Sequence, residues 1–143
     1  MAVATRRAPA SLTAEIQRVH QFVTFATNTP AQMAYAEFTR ARERYDDLAA
    51  FYQDRRDRFL ALLAGSRFVP VPCRGTYFQI LDYSAISDES DAAFAVRLLE
   101  EHGVASIPTS AFLYQSEAPR VLRFCFAKKD ETLERAAERL RGV

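Results

Sequence analysis

A chain of 143 residues, 49% apolar and 26% charged, is long enough for one packed domain and too rich in core-forming residues for a disordered segment. Nineteen basic residues against 18 acidic ones leave a formal charge of +1, so no field favours nucleic acid or an anionic membrane as partner. No apolar run approaches a membrane span, and Arg6 and Arg7 are not followed by the apolar stretch of a secretory signal, so a cytoplasmic location is expected.

In chain order, residues 1–10 read as an arm ahead of one domain over 11–143. Ser11 or Thr13 can cap a first helix carrying Leu12, Ile16, Val19 and Val23, which should fade near Thr27. Asn28, Thr29 and Pro30 mark a break before the next helix. From Pro30 to Ala64 the spacing of Ala34, Phe38, Ala41, Tyr45, Leu48, Tyr52, Phe59 and Leu62 predicts one long amphipathic helix. Its charged face, with Arg55 and Arg58 among others, should be solvated and paired within the helix, and Gly65 should end it.

The period then changes. Phe68 to Val71 and Thr76 to Leu81 predict a strand pair, with Phe78 and Ile80 directed to the core. Asp88 to Glu101 returns to helical spacing and ends at Gly103. Val104 to Ile107 and Val121 to Phe126 read as strands, and Asp130 as the cap of a last helix with Leu133, Ala136, Ala137 and Leu140 on its apolar stripe. This order predicts an α+β two-layer sandwich, a mostly antiparallel four-stranded sheet with helices on one face, preceded by the long helix.

Several residues could carry chemistry. Alternation along Val121 to Phe126 places Leu122, Phe124 and Phe126 on one face and Arg123 on the other, with no acid between Arg120 and Ala127. The partner of Arg123 is therefore either a distant carboxylate or a ligand anion held by the planar guanidinium fork. Gly75-Thr76-Tyr77-Phe78 reads as a strand start; its superficial likeness to an RNA-recognition strand lacks a second small residue and a basic field. Of Phe22 and Phe25, one could stay exposed and meet another chain, although burial is the commoner fate. His20 reads as a packing residue. Cys73 and Cys125, with only His20 and His102 as other soft ligands, argue for free thiols and against zinc. The two lysines, Lys128 and Lys129, fall side by side in a polar turn, and there is no Gly-rich phosphate loop, GxSxG or HExxH, so self-contained catalysis is not expected.

Five ordered phrases carry a likeness to a known family: VHQFVTFATNTPAQ (Val19 to Gln32), FYQDRRD (Phe51 to Asp57), PCRGTYF (Pro72 to Phe78), HGVASIPTSAF (His102 to Phe112) and LRFCFAKKDETL (Leu122 to Leu133). Together they resemble the C-terminal, small-domain part of fold-type I aminotransferases dependent on pyridoxal 5'-phosphate, nearest the methionine and kynurenine/glutamine aminotransferases. The resemblance implies amino-group transfer between an amino acid and a 2-oxo acid, a homodimer, and a long helix that serves an interface. It further implies that Arg123 clamps the substrate α-carboxylate, that Tyr77 approaches the substrate side of the pocket, and that Phe25 reaches across a dimer into the neighbouring pocket. The family's Schiff-base lysine and its phosphate-binding and pyridine-binding residues have no counterpart here. That implies a chain inactive alone, with the cofactor bound in the complete enzyme and not by this chain by itself. A free-standing α+β binding or assembly module is the other reading of the same residues.

Overall fold

The computed structural model describes residues 8–113 and 119–143, so residues 1–7 of the expected arm lie outside it. Its contacts divide the chain into two compact units that meet between Asp47 and Leu48 in sequence.

The first unit is helical. Helix α1 spans Ala10–Val23, and neither Ser11 nor Thr13 caps it: Pro9 holds the cap position without a side-chain bond, and the Thr13 hydroxyl donates to the Ala8 carbonyl at 3.2 Å. The helix stops short of Thr27, because the N–H groups of Thr24 and Phe25 both return to the His20 carbonyl and Phe25 turns left-handed at φ 62°. Asn28 does start α2 (Thr29–Phe38), its Oδ1 accepting from the Ala31 N–H at 3.0 Å with Pro30 in the first turn.

The repeat from Pro30 to Ala64 is divided where one long helix was expected. A 3-10 turn (Arg42–Arg44) follows α2, and α3 runs only from Leu48 to Leu62. Ala41 leaves the helical region at φ −91°, ψ 75°, the Tyr45 hydroxyl donates to the Thr39 carbonyl at 2.8 Å, and the Tyr45 ring packs 5.9 Å from that of Phe38. Arg40 and Arg44 would stand one turn apart on a continuous helix, a like-charge pairing that opposes it. Neither α1 nor α2 has a buried residue. Leu12, Ile16, Val19 and Val23 form an exposed stripe, Phe22 and Phe25 are 83% and 86% exposed, and His20 is exposed as well.

The second unit carries the sheet. Besides α3 it holds β1 (Val69–Pro70), β2 (Phe78–Asp82), α4 (Asp91–His102), β3 (Ile107–Pro108), β4 (Val121–Cys125) and α5 (Asp130–Arg141). The four strands lie in the order β1-β2-β4-β3, every neighbour antiparallel. The expected α+β architecture holds; β3 is shorter than the Val104 to Ile107 strand the sequence suggested.

Register decides the faces. Leu81 pairs with Leu122 and Gln79 with Phe124, and all four are buried. Period two then sends Phe78 and Ile80 to the opposite face, opposite Cys125 and Arg123, so the expectation that they enter the core is corrected. Gln79 is tolerated inside because its amide donates to the carbonyls of Val71 (2.7 Å) and Ile80 (2.8 Å). The apolar residues of the inward face join one cluster with Phe59 of α3, Phe94 and Leu98 of α4, and Leu133, Ala137 and Leu140 of α5. Burial of each large side chain contributes about 1.5–3 kcal/mol. Tyr83 is fully buried, stacked 4.3 Å from Phe94, with its hydroxyl donating to the Glu89 carbonyl.

Asp130 is not the cap of α5. Lys129 occupies that position without a side-chain bond, while the Asp130 carboxylate receives Arg55 at 2.6 Å and Arg58 at 3.1 Å, and Arg58 also reaches Glu134 at 2.6 Å. The arginines expected to pair within their own helix instead tie α3 to α5. These contacts are partly exposed and contribute about 0–1 kcal/mol each. Helix α4 begins at Ser90, whose Oγ accepts from the Ala93 N–H, and ends at Gly103, left-handed at φ 63° with its carbonyl bonded by Arg139.

Gly103→Ala should lower stability by about 1–2 kcal/mol, the cost of a Cβ in the left-handed region. The added carbon would also lie 2.6 Å from Arg139 Nη1, the far end of a flexible side chain. Chemical denaturation should show that pairing Gly103→Ala with Arg139→Ala recovers little of the loss, because the strain lies in the backbone.

Candidate functional site: an arginine flanked by aromatic rings

The outer face of the sheet presents Arg123 at the middle of β4, paired with Ile80 on one side and Ile107 on the other. Its guanidinium carbon lies 4.1 Å from the Phe78 ring centroid and 4.7 Å from that of Phe112. Nε is buried and makes no hydrogen bond, and no ion pair reaches Arg123 among the described residues. A guanidinium is weakly hydrated, stays charged across the working pH range and stacks favourably on aromatic faces. Among the described residues it is thus stripped of part of its water without a carboxylate to neutralise it.

A cleft of about 370 Å³ opens on this face, lined by the 71–76 loop, Phe78, Ile80 and Arg123. A second, of about 460 Å³, lies on the other side of the loop and is lined by Tyr52, Arg56 and Tyr77 among others. The loop between them is held from within. The Cys73 thiol lies 2.9 Å from the Gly75 carbonyl and 3.3 Å from that of Phe78, and Arg56 Nη1 donates to the Cys73 carbonyl at 3.0 Å. Thr76 adopts φ 64°, an uncommon conformation for a β-branched residue and a local cost of about 1–3 kcal/mol. Tyr77 follows it, with its ring 4.2 Å from Phe78 and 6.1 Å from Tyr52, and its carbonyl accepting from the Phe126 N–H.

Arg123 and Tyr77, two of the three residues singled out from the sequence, therefore stand on one aromatic array through Phe78. Phe25 belongs to the helical unit. The sequence reading missed Phe112 and Asp91. Asp91, 3% exposed at the first position of α4, accepts from the Ser110 N–H at 2.7 Å and lies 3.5 Å from Thr109 Oγ1, in the 3-10 turn Thr109–Phe112. Burial pushes its carboxyl pKa up, but hydrogen bonds from the Ser110, Ala92 and Thr109 backbone outweigh it and hold the group below the ordinary aspartate value. An acid at a helix start reads from sequence as a dipole partner, and nothing local signals a contact 19 residues away.

For pyridoxal phosphate the fit is poor. Lys128 and Lys129, the only lysines of the sequence, are both exposed and stand in no apolar enclosure of the kind that favours imine formation. No cluster of metal-ligating side chains occurs among the described residues, and both cysteines are free. No helix described is long and apolar enough to cross a membrane.

Residues 2–140 match the family described as aminotransferase class I and II. The chain belongs to that family. The methionine aminotransferase of Escherichia coli (strain K12) is 50% identical over 137 residues, covering 95% of this chain and 36% of that protein. A kynurenine–oxoglutarate transaminase of Dictyostelium discoideum is 32% identical over 92% of this chain and 35% of its own length. Among solved aminotransferase structures, an E. coli protein identified as having methionine aminotransferase function aligns with a TM-score of 0.81 at 48% identity over 94% of this chain. The N-succinyldiaminopimelate aminotransferase of Mycobacterium tuberculosis aligns with a TM-score of 0.80 at 32% identity. These aminotransferases are longer: the chain spans about a third of their length, 36% and 35% for the two structures.

Proposed function

We propose that this chain is the substrate-carboxylate-binding portion of a pyridoxal-phosphate-dependent aminotransferase. The enzyme would move an amino group between a 2-oxo acid and an amino acid such as methionine, kynurenine or another large apolar or aromatic one. The observation that carries the reading is Arg123: a partly desolvated guanidinium over two rings, with its Nε unbonded and no acid on it among the described residues. A planar carboxylate offers the two parallel acceptors such a fork is built for. Phe78, Phe112 and Tyr77 supply apolar surface beside it for a large side chain.

The chain's contribution is orientation: holding the α-carboxylate at one point fixes where the amino-bearing carbon lies. The cofactor supplies the electron sink for amino-group transfer when bound. Its anchoring lysine would come from outside this stretch, since both lysines present are exposed. The exposed stripe of α1, with Phe22 and Phe25, supports a homodimer in which Phe25 reaches the partner's substrate pocket. Two free thiols suit a reducing compartment such as the cytoplasm.

In the active aminotransferase, Arg123→Lys should weaken kcat/KM for amino acids by about 2–4 kcal/mol, because one ammonium cannot reproduce a planar two-point contact. Its melting temperature should hardly change. A large drop in melting temperature with unchanged kinetics would make Arg123 scaffold instead.

Mixed alone with pyridoxal phosphate, the chain should neither transaminate nor form a defined imine. A borohydride-reducible adduct at one lysine, together with turnover, would refute this.

Sedimentation should find dimers or larger species. A clean monomer at high concentration would remove the support drawn from the α1 stripe.

A further inference from the structure

The segment that carries Phe112 is fixed at successive points. Ile107 and Pro108 pair with Arg123 and Leu122 of β4. Thr109 Oγ1 lies 3.4 Å from the Val121 carbonyl and 3.5 Å from Asp91 Oδ2, and the Ser110 N–H donates to the same carboxylate oxygen at 2.7 Å. Beyond Ser110, the Leu113 N–H donates back to the Ser110 carbonyl within the same stretch. Among the described residues, Asp91 is thus the hydrogen-bonding tether from another element that lies nearest to Phe112 in sequence.

Asp91 is an expensive residue for that place. It is 3% exposed, and no cation pairs with it among the described residues. Burying a carboxylate without a cation is costly unless several donors converge on it. Capping α4 does not require it, since Ser90 already accepts from the Ala93 N–H. Its hydrogen bonds to Thr109 and Ser110 leave the helix and bridge to the turn.

We infer that Asp91 is a positioning residue for the carboxylate site, holding the Thr109–Phe112 turn so that the Phe112 ring stays against the Arg123 guanidinium. The inference rests on the reading of Arg123 as a carboxylate clamp. Phe78, on β2, is fixed by the sheet register; Phe112 sits on a four-residue turn outside that register, and among the described residues the Asp91 bonds are what hold its turn to α4. With both rings in place the guanidinium plane is set and partly dehydrated before any ligand arrives, which lowers the ordering cost of binding. Without the tether, Phe112 is released, and Arg123 regains water and rotational freedom.

The test needs no ligand. In the ¹⁵N-labelled chain, the Arg123 Nε–Hε resonance, assigned by its disappearance in Arg123→Lys, reports the ring currents of Phe78 and Phe112. Asp91→Ala should move this resonance as far as Phe112→Leu does, and the double variant should move it no further than Phe112→Leu alone. Asp91→Asn retains an acceptor for Ser110 and should fall between the wild type and Phe112→Leu; it serves as the readout if Asp91→Ala does not fold. A resonance left at its wild-type position in the folded Asp91 variant would overturn the inference. So would additive shifts in the double variant, since Asp91 would then act independently of Phe112. Because no substrate is present, failure of the clamp reading in the Arg123→Lys kinetics leaves this measurement unaffected, and the two ideas fail separately.

Discussion

The five-residue antiparallel register between β2 and β4 is the constraint on which the rest of the second unit depends. Leu81 on Leu122 and Gln79 on Phe124 commit those residues to the helices, and the strict alternation of the pleat then leaves Phe78, Ile80 and Arg123 together on the outer face. A slip by one residue would bury the guanidinium and expose the core. The fold and the candidate site are therefore two faces of one pairing.

The two units differ in how far they satisfy themselves. The second has a closed cluster in which α3, α4 and α5 all take part. The first has helices with sound local signals, an Asn28 cap and Pro30 in the first turn, yet buries nothing along α1 or α2. Helical stability in proteins comes mostly from packing an apolar face, and α1 carries its apolar face exposed.

Much of this was legible in the sequence because it depends on period and punctuation. The change from helical spacing to alternation after Gly65, the return to it before Gly103, and the isolation of Arg123 on its strand all survive in the structure. What was not legible depends on partners remote in sequence. Phe78 looks like a core residue until β4 fixes its register, and Asp130 looks like a cap until Arg55 and Arg58 arrive from α3. The break near Ala41 was hidden because Ala41 and Tyr45 keep the apolar rhythm while the Tyr45 hydroxyl turns back to Thr39. Family likeness implied a carboxylate-clamp role for Arg123, where periodicity left the choice open between an acid and an anion.

The sheet begins and ends on proline. Its edge strands, β1 and β3, are two residues long, and each contains a residue with no N–H to offer, Pro70 and Pro108, with Pro72 just beyond β1. Both margins, as described, are blunted against pairing with another strand, so the sheet resists the edge-to-edge route by which exposed sheets polymerise. Association of this chain is thereby steered toward its helices and loops, where contacts between side chains, rather than a generic backbone ladder, determine what is allowed to bind.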